Sequence, residues 1–174
     1  MVNRVRVPLG FLIAGAVFYF AEPNGQWLLA GFPIAVFGMV FRLLAAGTIK
    51  KDFQLAETGP YRLTRNPLYF GSFMLAAGFA VMSGSLLAVA LLLVPSAAIY
   101  PGVIRNEEIH LERLFGENFR SYKRKVPGFF PRLAWPSLNS FSFHQYMANK
   151  EYKVALGFAA ALAVFVMKAL IRAN

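Results

Sequence analysis

The sequence predicts an all-α integral membrane protein with about five transmembrane helices, arranged as two hairpins and a C-terminal span. Of its 174 residues, 57% are apolar or aromatic and 15% are charged, whereas ordinary globular chains are roughly 45–50% apolar. Five apolar stretches approach or reach the length that a helix needs to cross a bilayer, roughly 17 to 25 residues. Lys and Arg outnumber Asp and Glu by 18 to 8. These features favour a membrane-embedded domain over a small soluble enzyme.

The first predicted hairpin occupies the N-terminal part of the chain. Its first apolar stretch covers about 5–21, and the aromatic run 18–20 stands where a signal peptide has small cleavage-site residues, so we interpret the stretch as a retained span. The sequence Glu-Pro-Asn-Gly at 22–25 is typical of a turn. A second span of about 27–46 begins with a tryptophan suited to the membrane interface.

The second predicted hairpin contains the spans 67–82 and 86–104 around the short Ser-Gly-Ser turn 83–85. After it, apolar residues alternate with charges over 105–125, which predicts a cytoplasmic amphipathic helix rather than a span. An aromatic, proline-containing stretch follows, and 152–171 provides the fifth span.

The whole chain, 1–174, is predicted to be one membrane domain. Its parts are an N-terminal hairpin with a polar linker at 1–58, a motif-bearing region at 59–131, and an interfacial segment with the last span at 132–174.

The distribution of basic residues predicts the orientation. With a cytoplasmic N-terminus, 16 of the 18 basic residues lie inside, and only Lys168 and Arg172 lie outside. The predicted outer connections 22–26 and 83–85 contain no Lys or Arg. We therefore expect a cell-membrane protein whose N-terminus and active site are cytoplasmic. The positive charge orients the chain, and too little polar sequence remains to build a nucleic-acid-binding surface.

A metal cofactor is not expected. The chain has no cysteine, and its two histidines, His110 and His144, are far apart in sequence. Disulfides, thiolate nucleophiles and Cys-type zinc sites are therefore excluded, and a site built from histidines is disfavoured.

The junction at 59–71 is a candidate binding site. Asn66 suits a helix N-cap and Pro67 the first helical position, so a helix is predicted to begin here with an extended residue before the proline. Arg62 and Arg65 flank that N-terminus, which favours an anion such as a carboxylate or phosphate. Tyr61, Tyr69 and Phe70 offer aromatic faces for a cation. The alternative interpretation is ordinary membrane anchoring, in which the two arginines contact lipid phosphates.

A second candidate lies at 105–116. Glu107 and Glu108 point about 100° apart on a helix, so one can face a cavity while the other pairs with Arg105 or solvent. A solvated helix face with pairs such as Arg113 with Glu117 is the alternative.

Together the two segments resemble the isoprenylcysteine carboxyl methyltransferase and phospholipid methyltransferase family. The resemblance rests on Arg-Asn-Pro-Leu-Tyr-Phe-Gly at 65–71, Glu-Glu at 107–108, Leu-Phe-Gly-Glu-Asn-Phe-Arg-Ser-Tyr at 114–122 and Val-Pro-Gly-Phe-Phe-Pro at 126–131. Its strength lies in two motifs in the right order with one hairpin between them. It covers 59–131, less than half of the chain.

The resemblance implies an enzyme that uses S-adenosylmethionine in a pocket between the start of the third span and the helix after the fourth. Residues assigned to cofactor binding are Tyr61, Arg65, Asn66, Pro67, Tyr69, Gly71, Glu107, Glu108, Leu111 and Tyr122, and those assigned to catalysis are Arg65, Arg105 and Glu108. The family usually has histidine at the position of Asn66, and asparagine cannot accept a proton at neutral pH, which disfavours a catalytic base at this position.

The predicted reaction is carboxyl O-methylation of an isoprenylcysteine-like acceptor. An ionised carboxylate needs only a cation such as Arg65 or Arg105 to hold it, whereas an amine must first lose a proton to Glu107, Glu108 or water. We expect membrane lipids and a lipophilic or lipid substrate as partners, and no nucleic acid. The alternatives are N-methylation of a phospholipid headgroup, an NADPH-dependent enzyme like the sterol reductases, and a non-catalytic lipid-binding protein.

Overall fold

The computed structural model describes residues 12–51, 53–134 and 140–173, and within them the chain is helical with no β-strand. The helices are α1 (12–20), α2 (Gly25–Thr48), a short 3-10 helix (Gly59–Arg62), α3 (Pro67–Met82), α4 (Leu86–Phe115), α5 (Glu117–Lys125), α6 (Phe143–Ala148) and α7 (Tyr152–Ala173).

The helices confirm the predicted all-α membrane architecture. Within the described residues, α2, α4 and α7 are long and apolar enough to cross a membrane, and α3 is a shorter apolar helix of 16 residues. At 1.5 Å per residue α3 is about 24 Å long, somewhat less than a hydrocarbon core of about 30 Å. The predicted first span, 5–21, lies partly outside the described residues, so the number of spans stays a prediction.

Helices α2 and α3 form the central packed pair, and small residues let their backbones approach closely. A Cβ added at Gly78 would lie 2.4 Å from the backbone nitrogen of Ala35, and one added at Gly38 would lie 2.6 Å from that of Leu75. Neither position therefore has room for a side chain. This is the close helix approach that membrane proteins commonly achieve with glycine.

Both predicted outer connections lie at the same end of the helices. The backbone nitrogen of Glu22 donates to the carbonyl of Ser83 at 2.6 Å. Nζ of Lys168 donates to the carbonyls of Phe18 and Tyr19 at 2.6 and 2.9 Å, which satisfies terminal carbonyls of α1. The polar motif segments therefore lie at the other end; that this end is cytoplasmic stays a prediction.

The fourth span differs from the prediction at its C-terminal end. A separate amphipathic helix was expected over 105–125, but α4 continues without interruption to Phe115, and the chain breaks at Gly116, whose φ is +53°. No glycine or proline lies between 105 and 115, so a helix formed in the apolar part propagates into the charged part. The 30 residues of α4 extend about 45 Å, and its charged turns therefore reach beyond the hydrocarbon.

Candidate active site

The two sequence motifs come together because the segment before α3 pairs with the segment after α5. The backbone nitrogen of Arg65 donates to the carbonyl of Pro127 at 2.9 Å, and that of Arg132 donates to the carbonyl of Leu63 at 3.0 Å. Buried Thr64 also contributes, since its hydroxyl lies 2.9 Å from the carbonyl of residue 129. The segment 126–132 therefore covers the start of α3.

A buried tyrosine pair supports this junction. The hydroxyl of Tyr122 on α5 donates to the carbonyl of Tyr61 in the 3-10 helix at 2.6 Å. Burial raises the pKa of both phenols above the usual value of about 10, and the nearby Glu107 carboxylate raises the pKa of Tyr61 further. Both side chains therefore stay neutral at physiological pH, and the Tyr122 hydroxyl is used in a contact within the protein.

Arg65 connects the two motifs directly. Its Nε donates to Oε1 of Glu108 at 2.9 Å, and its Nη2 lies 2.8 Å from the same oxygen. Its Nη1 donates to the carbonyls of Lys123 and Val126 at 2.8 and 2.9 Å. The Lys123 ammonium lies 3.1 Å from Oε2 of Glu108. Protein atoms thus occupy four of the five N–H donors of Arg65, and Arg65 with Glu108 forms a clamp between the motifs.

A cavity of about 210 Å³ opens at the N-terminus of α3. Among the described residues that line it, three side chains are basic and one is acidic. These residues are Arg42, Lys51, Tyr61, Arg65, Asn66, Pro67, Leu68, Tyr69, Ser72 and Glu107. The hydroxyl of Tyr69 donates to Oε2 of Glu107 at 2.8 Å. Six of the residues that the resemblance assigned to the cofactor therefore line one space.

The start of α3 has the predicted boundary but a different cap. The helix begins at Pro67, as predicted, with Asn66 at the N-cap. The ψ angle of Asn66 is 55°, so this residue is not extended, and its side chain donates to the carbonyl of Gly128 at 2.8 Å instead of capping the helix. The side chain of Asn66 therefore leaves the first-turn N–H group of Leu68 uncapped beside the cavity.

The other predicted site residues do not line this cavity. Arg105 is exposed and Leu111 is half-buried on α4, and Tyr122 contacts Tyr61 only through the carbonyl bond described above. A Cβ added at Gly71 would lie 2.5 Å from Cγ of Arg42, which assigns Gly71 to the packing of α3 against α2.

The prediction did not assign Arg42 to the site and counted it only among the 16 basic residues expected on the cytoplasmic side. Nε of Arg42 donates to Oε1 of Glu151 at 2.6 Å, and its Nη1 donates to the carbonyl of Leu68 at 3.2 Å and to the hydroxyl of Ser72. The side chains of Arg42 and Glu151 are only 16% and 8% exposed. A signal for this site was present in the sequence, because an arginine in an apolar helix is costly and implies a partner or a function.

A second, larger cleft of about 860 Å³ is lined by Tyr122, whose hydroxyl donates to the carbonyl of Tyr61 in the lining of the small cavity. Its lining combines apolar side chains such as Phe53, Leu63 and Phe115 with the basic residues Arg62 and Lys125. The small cavity is below the range of about 300–1,000 Å³ of pockets that hold a whole drug-sized ligand. It suits the charged end of a larger molecule.

Comparison with known proteins identifies related sequences. The family model for phospholipid methyltransferases matches residues 24–118. The chain is 34% identical over 137 residues to the cobalt-zinc-cadmium resistance protein CzcN of Cupriavidus metallidurans, covering 74% of this chain and 62% of that protein. It is 42% identical over 85 residues to the nickel-cobalt-cadmium resistance protein NccN of Alcaligenes xylosoxydans xylosoxydans, covering 49% and 39%.

A third relative is the protein-S-isoprenylcysteine O-methyltransferase of Schizosaccharomyces pombe, which is 29% identical over 107 residues, covering 62% of this chain and 45% of that enzyme. The chain thus spans between about two fifths and three fifths of the length of these relatives. No solved structure matches it significantly.

Proposed function

The chain is an integral membrane protein of the phospholipid methyltransferase family, and we propose that it transfers a methyl group from S-adenosylmethionine to a lipophilic carboxylate such as an isoprenylcysteine. The observation that carries this proposal is the cavity at the start of α3, whose described lining combines the basic side chains of Arg42, Lys51 and Arg65 with the carboxylate of Glu107. We place this site on the cytoplasmic side, where the positive-inside rule puts the basic segments.

The residues of the cavity fit the amino-acid end of S-adenosylmethionine. That end carries one carboxylate and one ammonium group, which match the basic side chains and helix N-terminus on one hand and Glu107 on the other. The faces of Tyr61 and Tyr69 suit a cation nearby. When bound, S-adenosylmethionine supplies a methyl group on a sulfonium, which is already activated for transfer.

The protein's own task in this reaction is to hold and align the two reactants and to exclude water. A carboxylate acceptor is ionised at neutral pH, so it requires a cation and no base. The described lining contains no histidine, and the amide of Asn66 is bonded to Gly128. Glu107, the one carboxylate among the described lining residues, already accepts a hydrogen bond from Tyr69. These contacts support a carboxylate acceptor over an amine.

The lipophilic part of the acceptor has access from the membrane. Only 6% of the residues in the apolar stretches of α4 and α7 are buried in the described structure, which leaves the surfaces of these helices available to lipid. A lipid-soluble acceptor can therefore approach the start of α3 from the bilayer, while the charged cofactor enters from water.

The test uses purified full-length protein with methyl-labelled S-adenosylmethionine and a membrane lipid extract, followed by mild base. Release of labelled methanol identifies an ester and supports the proposal. A base-stable label in the lipid indicates N-methylation, the alternative acceptor class, and refutes a carboxylate acceptor. Absence of transfer, combined with binding of NADPH instead of S-adenosylmethionine, refutes methyl transfer altogether.

A pair of variants connects the activity to the cavity. Glu107→Gln should weaken S-adenosylmethionine binding roughly tenfold, because it removes the charge that faces the ammonium group. Glu112→Gln is the matched control on the same helix, since Glu112 is outside the lining and pairs with Arg120 at 2.8 Å. Equal effects of the two substitutions on S-adenosylmethionine binding would show that the cavity does not hold the cofactor.

A further inference from the structure

Arg42 has more N–H donors without a protein acceptor than Arg65 has. Its Nε and Nη1 are used by Glu151, Leu68 and Ser72, whereas Nη2 has no hydrogen-bond acceptor anywhere in 12–51, 53–134 and 140–173. Arg65 uses four of its five N–H groups on the protein. Of the two guanidinium groups in the cavity lining, that of Arg42 is therefore the one with a complete –NH₂ group available to a ligand.

The surroundings of Arg42 suit the binding of an anionic ligand. The side chain is 16% exposed and projects from an otherwise apolar helix. Nη2 itself remains accessible to a ligand, because Oγ of Ser140 is the only fully buried side-chain nitrogen or oxygen without a partner among the described residues. A carboxylate is the acceptor that a guanidinium binds with the best geometry.

Glu151 reaches Arg42 because a strap, which we define as residues 141–151, closes over the end of α2. The backbone nitrogen of Ser142 donates to the carbonyl of Gly47 at 2.9 Å. Nδ2 of Asn149 donates to the carbonyls of Ala46 and Ile49 at 2.7 and 3.0 Å. These bonds satisfy terminal carbonyls of α2, and they place a carboxylate from outside the family-matched residues 24–118 against Arg42.

We propose that Arg42 binds the carboxylate of a ligand in the α3 cavity and that Glu151 of the strap is the residue that positions it. The identity of the ligand rests on the proposed function. Two carboxylates are chemically equivalent here, that of the cofactor and that of the acceptor. The strap thereby becomes part of the site, since Glu151 orients the guanidinium through Nε while Nη2 faces the ligand.

The first experiment distinguishes the two carboxylates. Full-length wild-type protein and Arg42→Gln are titrated with S-adenosylhomocysteine and with its decarboxylated analogue, and the KM for N-acetyl-S-farnesylcysteine is measured. If Arg42 holds the cofactor, the variant loses roughly ten- to hundredfold in affinity for S-adenosylhomocysteine, the loss expected for one charge-assisted hydrogen bond, and less than threefold for the analogue. If Arg42 holds the acceptor, only that KM rises by such a factor.

Other outcomes overturn the proposal. Unchanged constants in Arg42→Gln, or an equal loss for both nucleosides, remove Arg42 as the carboxylate-binding group while methyl transfer by the wild-type protein leaves the proposed function standing. A wild-type protein that neither binds S-adenosylhomocysteine nor transfers methyl overturns the proposed function and this proposal with it.

The second experiment tests positioning by Glu151. Glu151→Ala should weaken binding of the affected ligand at least tenfold, whereas Glu151→Gln, which keeps an acceptor oxygen for Nε, should restore it to within about threefold of wild type. If Glu151→Ala does not fold, Ser72→Ala replaces it in the test. This substitution removes another acceptor of Arg42 and should also weaken binding of the affected ligand.

The matched control is Lys168→Met, at the opposite end of the helices, which frees the carbonyls of Phe18 and Tyr19. It should lower the midpoint of thermal unfolding without changing the dissociation constant. Dissociation constants that follow the unfolding midpoint in every variant would reduce Glu151 to a purely structural residue and overturn the positioning role.

Discussion

The clamp between Arg65 and Glu108 should behave as one energetic unit. The two side chains are each 13% exposed, so solvent screens their interaction weakly. Arg65→Met removes the ion pair and the bonds to the carbonyls of Lys123 and Val126, and it leaves Glu108 with Lys123 alone. We expect a loss of about 3–5 kcal/mol in the free energy of unfolding, the range for removing one partner of a buried ion pair.

Glu108→Gln should cost less. A glutamine oxygen still accepts from Nε of Arg65, but the bond changes from charge-assisted to neutral, which corresponds to about 1–2 kcal/mol. Once Arg65 is absent, the carboxylate has lost its main partner, so Glu108→Gln in the Arg65→Met background should cost little. The expected coupling energy of the double-mutant cycle is therefore about 1–2 kcal/mol.

The assay is reversible denaturant unfolding of the purified protein in detergent for the four members of the cycle. The control is the same cycle on Arg120 and Glu112, whose side chains are 57% and 35% exposed and whose substitutions should be additive. A coupling energy below about 0.5 kcal/mol for Arg65 and Glu108, the usual error of additivity, would refute the clamp as the element that joins the two motifs.

Three further outcomes follow from named contacts. Gly78→Ala places a Cβ 2.4 Å from the Ala35 nitrogen and should lower unfolding stability by about 1–3 kcal/mol through overpacking, as thermal unfolding in detergent would show. Tyr122→Phe leaves the carbonyl of Tyr61 without its donor and should cost about 1–3 kcal/mol in the same assay. Because the pKa of Tyr61 and of Tyr122 is raised on folding, stability should be fully present below about pH 10 and decline as the pH rises beyond the unfolded pKa, and the double substitution by phenylalanine should flatten that decline.

Several local features could be predicted from the sequence because their causes are local. Pro67 lacks an N–H and has a helical φ, so α3 begins there irrespective of what packs on it. The turn before Leu86 follows in the same way from Ser-Gly-Ser, whose central Gly84 has a φ of +60°. Tyr61, Asn66 and Glu107, which the resemblance assigned together to a cofactor site, line one cavity.

Other features could not be predicted, for two different reasons. The uninterrupted α4 was missed because a change from apolar to charged residues was interpreted as a boundary, whereas a helix ends only where the backbone conformation changes, at Gly116. The bond between Arg42 and Glu151 joins residues 109 positions apart, and no local pattern connects them. Arg65 was predicted to bind a ligand, but protein atoms already accept from four of its five N–H donors. No pattern in the sequence indicates these partners.

The sequence by itself determined that this protein lies in a membrane and where most of its helices form. Burial of apolar residues in lipid, the charge asymmetry of the connections, and the conformational limits of proline and glycine act on each segment separately. Only the tertiary structure decided which cation keeps free donors at the cavity, because that depends on which carbonyls and carboxylates distant segments bring within hydrogen-bonding distance. Arg42 and Arg65 are the same residue type at the same cavity, and their different partners alone distinguish a candidate ligand-binding group from a structural clamp.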